Sequence, residues 1–245
     1  MHKKKAMTHE KASFVKREGH RVEDIYAELI GVKREKGIGK VDIIDKKGQH
    51  HSVKGAQLKW QIFLYGKSRF ERDFDESGKL FVNCIESFPE NRKDYKKDKN
   101  KFKAVLAGNM LKLKEYMENA ENRKNFFMKS FLNNEIDYLV IYNENIFHIF
   151  NAKEVIDILS NLTTAENSKA QMKSQKDNQK VIFKHDNRTI GEIEMRNDSN
   201  VHYKQVKLWM EKKGFMDLLL KHIQPNGKKT DRFIFYGKAQ DNFLI

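Results

Sequence analysis

Residues 38–55, IGKVDIIDKKGQHHSVKG, bring together a carboxylate, a hydroxyl and a lysine at a spacing that can do chemistry. Val41-Asp42-Ile43-Ile44 reads as a strand, Lys46-Lys47-Gly48-Gln49 as the turn after it, and His50-His51-Ser52-Val53-Lys54-Gly55 as the returning strand. Side chains alternate along a strand, so Asp42 shares a face with Ile44, and Ser52 shares one with Lys54. If the two strands pair through that turn, Asp42 and Lys54 meet at one end of the sheet. A carboxylate beside a lysine on paired strands is the minimum needed to hold a divalent metal and activate a water against a phosphodiester. The bland alternative is an ordinary hairpin with a surface salt bridge. His50 and His51 do not make a shared two-histidine metal site, because adjacent strand residues point to opposite faces. They read as strand-edge histidines, one of them near phosphate, and no His-x-Asn pattern accompanies them.

The elements that would position these residues follow from periodicity. Residues 1–18 are polar and basic and read as a flexible arm. Residues 20–31 predict a short helix ending at Gly31, with Val22, Ile25, Tyr26, Leu29 and Ile30 on one apolar face. Glu23 falls at the edge of that face, whereas Asp24 and Glu28 point outward. After the hairpin, Leu58–Tyr65 is amphipathic, and residues 58–72 predict a helix whose end carries Lys67, Arg69, Glu71 and Arg72.

Asp42, a short gap, then Ser52-Val53-Lys54 on the next strand resembles the PD-(D/E)XK nucleases, in particular type II restriction endonucleases. The resemblance covers residues 19–72 and is reinforced by Gly37-Ile38-Gly39, by Lys54-Gly55 and by the amphipathic segment that follows. Val41 stands where the pattern has proline, and Ser52 where it has a second acid; some enzymes of this kind carry Ser-Val-Lys and take the further carboxylate from a helix. The resemblance implies a mixed central sheet flanked by helices, Mg²⁺ as cofactor, and double-stranded DNA as substrate. It implies Asp42, the Val53 carbonyl and a helical carboxylate as metal ligands, with Glu23 on the preceding helix as first candidate and Glu71 on the following one as its rival. Lys54 would orient or deprotonate the attacking water, or stabilise charge on the phosphate, and Ser52 would hydrogen-bond a metal-bound water.

The rest of the chain reads as a strand at 79–86, a basic run at 92–103 that either tracks phosphates or opens a solvated helix, and helices at 100–119 and 121–132. Strands at 136–142 and 146–150 flank an Asn143-Glu144-Asn145 turn, followed by a helix at 152–162. Residues 163–180 predict a mobile loop, then strands at 181–184 and 189–196, helical residues 201–223 broken near Gly214, and a last strand at 231–236. The strand ending at Arg196 leads into Asn197, Asp198, Ser199, His202, Lys204 and Gln205. That cluster suits base readout in the major groove, where arginine forks to guanine and asparagine or glutamine to adenine; Asp198 or Ser199 as a helix cap is the plain alternative. With Arg69 and Arg72, these are the candidate DNA-binding residues. Strands and helices mix without a regular βαβ repeat, which predicts an α/β class of mixed α+β type.

Composition agrees with a polyanionic partner. The chain has 245 residues, 48 Lys and Arg against 34 Asp and Glu, and a formal net charge of +14. Hydrophobic content of 39% suits a sizeable core, expected here as one nuclease domain over 19–245, with a catalytic core at 19–90 and recognition elements in the C-terminal half. Cys84 is the single cysteine, so no intramolecular disulfide forms and a reducing, cytoplasmic home is expected. No signal peptide or membrane span is expected. There is no Walker loop, GxGxxG or Ser-His-Asp arrangement. The expected function is a sequence-specific, Mg²⁺-dependent restriction-type endonuclease acting as a homodimer. The alternatives are another nuclease of the superfamily, acting on branched, damaged or RNA substrate, and a non-catalytic nucleic-acid-binding protein.

Overall fold

The first helix, α1 (His9–Leu29), starts eleven residues ahead of its predicted start at 20. Its early part, HEKASFVKREG, is dominated by strong helix formers, so propensity extends the helix through most of the expected arm. The helix closes as predicted: Gly31 has φ +66°, and the Val32 N–H reaches back to the Ala27 carbonyl at 2.9 Å. The computed structural model describes residues 9–34, 39–55, 57–133, 135–171, 176–197 and 199–244.

The chain divides into two compact units, each discontinuous in sequence: residues 1–57, 132–155 and 223–245 form the first, and residues 58–131 and 156–222 the second. The fold is mixed α+β, as predicted, with one six-stranded and one five-stranded sheet among the described residues.

The first unit carries the hairpin. Its strands are β1 (Ile43–Ile44), β2 (His50–Lys54), β4 (Tyr138–Asn143), β5 (Ile146–Asn151), β10 (Pro225–Lys229) and β11 (Phe233–Tyr236), while β3 (Lys59–Tyr65) belongs to the other unit. Their order is β1-β2-β4-β5-β11-β10. β2 pairs antiparallel with β1 (Ile43 opposite His51) and parallel with β4 (Val53 opposite Val140). β5 likewise pairs antiparallel with β4 and parallel with β11. The β4–β5 turn is as expected, with Glu144 and Asn145 at φ +49° and +65°, the pair of positive angles a tight hairpin needs. Val22, Tyr26 and Ala27 of α1, with Ile30 just after it, pack on Ile43, Val53, Val140, Phe147, Ile149, Phe233 and Phe235 of the sheet to make this unit's core. Alternation along β2 sends His51 and Val53 into that core.

The second unit is an antiparallel sheet, β3-β9-β8-β7-β6, with β6 at Thr164–Asn167, β7 at Lys180–His185, β8 at Arg188–Arg196 and β9 at Gln205–Glu211. Its helices are α2 (Lys67–Asp73), α3 (Glu76–Glu86), α4 (Arg92–Lys97), α5 (Lys99–Glu118) and α6 (Ala120–Phe127), the last followed by a π-turn at Met128–Leu132. α7 (Ala152–Leu162) falls where predicted, and α8 spans Lys212–His222.

Four expectations are corrected. Residues 58–72 are not one helix but β3 followed by α2. Residues 79–86 are not a strand but the body of α3, where Cys84 is buried and its thiol is pushed up to about 12 by that burial. Residues 201–223 are not helical throughout, since β9 precedes α8. The predicted loop at 163–180 begins with the strand β6. No helix among the described residues is long and apolar enough to cross a membrane.

Candidate active site

The hairpin turn is built by one residue the sequence reading passed over. Asp45 Oδ1 accepts hydrogen bonds from the Lys47 and Gln49 amides at 2.8 and 2.9 Å, and the Asp45 carbonyl accepts from Gly48 at 3.0 Å. Gly48 sits at φ +78°, open to glycine without strain. Asp45-Lys46-Lys47-Gly48 carries the signal that could have found it: aspartate first and glycine fourth is a turn in which the side chain mimics a backbone acceptor.

With that turn fixed, Asp42 lies just ahead of β1, its amide bonded to the His51 carbonyl at 3.0 Å. Its carboxylate oxygen Oδ2 accepts from the Val53 amide at 2.7 Å and from the Ser52 hydroxyl at 3.2 Å. Lys54 Nζ donates to Ser52 Oγ at 2.8 Å. Lys54, Ser52 and Asp42 therefore form one hydrogen-bonded line across β2 and the start of β1. Ser52 was expected to serve a metal-bound water; in the structure its hydroxyl links the lysine to the carboxylate.

Glu23 joins them from α1. Its side chain is 16% exposed, and Oε2 meets Arg34 Nη1 at 3.2 Å. Burial raises its carboxyl above the ordinary value, the nearby Asp42 charge raises it further, and His20, Arg34 and Lys54 pull the other way. Asp24 and Glu28 are exposed, as helical phase predicts. Arg34 was not anticipated. It bridges in the backbone to Ile43, and its Nε donates to Asp24 Oδ1 at 2.8 Å.

Glu71, the rival carboxylate, lies on α2 of the second unit, exposed and 3.6 Å from Lys67. Arg69 and Arg72 are on the same helix and share Asp73, at 2.6 Å from Arg69 and 2.9 Å from Arg72.

The two histidines part as alternation requires, but His51 is not at a strand edge. It is fully buried, with Nε2 3.1 Å from Asp45 Oδ2. His50 is half-buried, with its Nδ1 3.0 Å from the Glu135 carbonyl.

The segment after Arg196 links β8 to β9, with Arg196 opposite Gln205 in the ladder. It is a strand-to-strand loop instead of the expected strand-to-helix junction, so a helix cap has no helix to cap. Asn197 Nδ2 donates to the Tyr95 hydroxyl at 3.2 Å, Arg92 Nε donates to the Asn197 carbonyl at 3.2 Å, and Lys204 pairs with Glu90. The Ser199 hydroxyl accepts from the His202 amide at 3.1 Å, and the His202 ring lies 3.1 Å from Gln205 Oε1. Asp198 lies outside the described residues. Much of this polar cluster thus braces its own loop against α4. On that helix and the start of α5, Lys93, Lys96, Lys97, Lys99 and Lys101 are exposed.

Among the described residues, no group of three or more His, Cys, Asp or Glu side chains is placed to hold a metal ion. Comparison of the chain with models of protein families, with curated proteins and with solved structures finds no match.

Proposed function

We propose that this protein is a Mg²⁺-dependent endonuclease that cuts double-stranded DNA, of the PD-(D/E)XK kind that Asp42 and Ser52-Val53-Lys54 resemble. In the same proposal it is restriction-type, recognising a symmetric sequence as a homodimer. The observation that carries this reading is the Lys54–Ser52–Asp42 line, with Glu23 close enough for the Asp42 charge to raise its proton affinity.

The donor set suits the ion. Among the described residues, Asp42 Oδ1 and Glu23 Oε1 take no hydrogen bond, and both are hard oxygens. Mg²⁺ prefers such oxygens, needs few of them and keeps several waters. Asp42 and Glu23 would hold it, with the Val53 carbonyl as the further ligand that the resemblance implies. When bound, the ion supplies positive charge at the phosphate and a more acidic water. Lys54 has three donors and gives one to Ser52, which leaves two for the attacking water or a phosphate oxygen. The Ser52 hydroxyl, two residues before Lys54 on β2, anchors its ammonium. The Val53 amide and the Ser52 hydroxyl both donate to Asp42 Oδ2 and fix the carboxylate's position.

A second reading is a nucleic-acid-binding protein without catalysis, and the exposed Lys93, Lys96, Lys97, Lys99 and Lys101 favour it. The net charge of +14 suits either. Incubating supercoiled plasmid with the protein in Mg²⁺, in chelator, and with Asp42→Ala separates them. Metal-dependent cutting lost in Asp42→Ala supports the nuclease, and binding without cutting supports the binder. Discrete bands support restriction-type specificity, and a smear supports a general nuclease of the superfamily.

A further inference from the structure

Arg34 has no part in the chemistry outlined so far, yet three contacts place it at the same carboxylates. Its backbone bridges to Ile43, the neighbour of Asp42. Its guanidinium reaches Glu23 Oε2 at 3.2 Å and Asp24 Oδ1 at 2.8 Å, with the side chain 23% exposed. A half-buried carboxylate beside a second carboxylate needs positive charge nearby; His20, Arg34 and Lys54 supply it, and of these Arg34 has its guanidinium in direct contact with Glu23. Lys54 gives one of its donors to Ser52. Arg34 grips Glu23 by one nitrogen, a contact that a competing cation can displace while the Asp24 contact keeps the side chain at hand.

We propose that Arg34 is the resident counter-ion of the Glu23–Asp42 carboxylates: it holds Glu23 when no metal is bound, gives it up to a divalent cation, and then faces the phosphodiester. This rests on the metal-dependent reading of the site. Arginine suits both tasks, since its charge is permanent and its planar fork matches carboxylate and phosphate alike. The consequence is a split that a purely structural ion pair does not produce. Removing Arg34 removes a cation that competes for Glu23, so metal binds more tightly. The same change removes a positive group from the phosphate, so turnover falls.

The test is Mn²⁺ binding by titration calorimetry on the full chain, alongside plasmid cleavage. Arg34→Ala and the bulk-preserving Arg34→Gln are both expected to bind Mn²⁺ about 5- to 10-fold more tightly than the native protein. Combining either with Glu23→Gln abolishes that gain, and Arg34→Lys stays near the native affinity. The maximal cleavage rate of Arg34→Ala is expected to fall about 100-fold. Unchanged or weaker Mn²⁺ binding in both Arg34→Ala and Arg34→Gln overturns the proposal, as does an absence of Mn²⁺ binding throughout. An Arg34-dependent Mn²⁺ affinity in a protein that cuts no DNA upholds the counter-ion role and removes the nuclease reading.

Discussion

Tyr26 Oη lies 2.8 Å from His51 Nδ1, and both side chains are wholly buried in the first unit. The far nitrogen of the same ring, Nε2, lies 3.1 Å from Asp45 Oδ2. Burial disfavours a charged ring, so one nitrogen alone carries a proton; with Nε2 donating to the Asp45 side chain, Nδ1 is a bare lone pair and the tyrosine hydroxyl donates to it. One imidazole therefore ties α1, the β1–β2 turn and β2 together, three residues along α1 from Glu23 and beside Ser52.

Tyr26→Phe keeps the ring packing but strands the His51 lone pair in the core. The expected loss is about 1–3 kcal/mol in denaturant unfolding, because a buried acceptor loses its only donor. An unchanged midpoint would show that the hydroxyl contributes nothing.

His51 also sets a pH dependence. Burial pushes its imidazole below the ordinary value of 6.5, against the pull of Asp45 and Asp137. The unfolded chain takes up that proton as pH falls through about 6.5, whereas the folded chain resists, so the unfolded state then binds more protons. This contribution is complete above that pH and is lost as pH falls below it. Glu23 runs the other way: its raised folded value means that protonation on acidification favours the folded state. Unfolding should therefore be followed from pH 7 to 5 in a Glu23→Gln background, where stability is expected to fall. Substituting His51 with Gln should flatten that slope, and an equally steep slope in both would point to other groups.

Ser52→Ala breaks the line between Lys54 and Asp42 without removing a charge. Cleavage is expected to drop about 10-fold, while Asp42→Ala and Lys54→Ala each lose about 100-fold or more, and DNA binding changes little in all three. A Ser52→Ala protein as inactive as Lys54→Ala would mean that the hydroxyl takes part in the reaction directly.

Among the carboxylates, Glu23→Gln is expected to cost far more activity than Glu28→Gln, whose side chain is exposed on the same helix. Glu71 sits beside Lys67 on α2, and Glu71→Gln is expected to be mild. Steady-state cleavage rates of the three variants decide this, and a dead Glu71→Gln beside an active Glu23→Gln would reverse the assignment.

The hairpin was legible because period-two alternation and turn chemistry agree over residues 41–55, and Glu23 because helical phase puts it at the edge of the apolar face. Residues 58–65 misled because the β3–β9 register shifts between Gln61 and Phe63. That bulge buries Ile62 and Phe63 side by side, which breaks strand alternation and imitates a helix. α3 was hidden for the opposite reason. Its inward positions are Ser77, Gly78, Phe81, Cys84 and Ile85, a helical spacing carried partly by small residues. Gly78 has to be small, since a Cβ there would come within 2.5 Å of the Phe70 carbonyl oxygen. The Tyr26–His51–Asp45 connection joins residues 25 apart in the chain, and no local pattern announces it.

The parallel pairs β2–β4 and β5–β11 have a consequence for how the protein is made. Each joins strands more than eighty residues apart, and β11 is the last paired strand along the chain. During translation Asp42, Ser52 and Lys54 emerge early, but the sheet that holds them is not complete until residues 233–236 have been synthesised. Pairings of such long range close slowly. A nascent chain on the ribosome thus carries Asp42, Ser52 and Lys54 without the assembled scaffold, and the proposed site waits for β11 to dock.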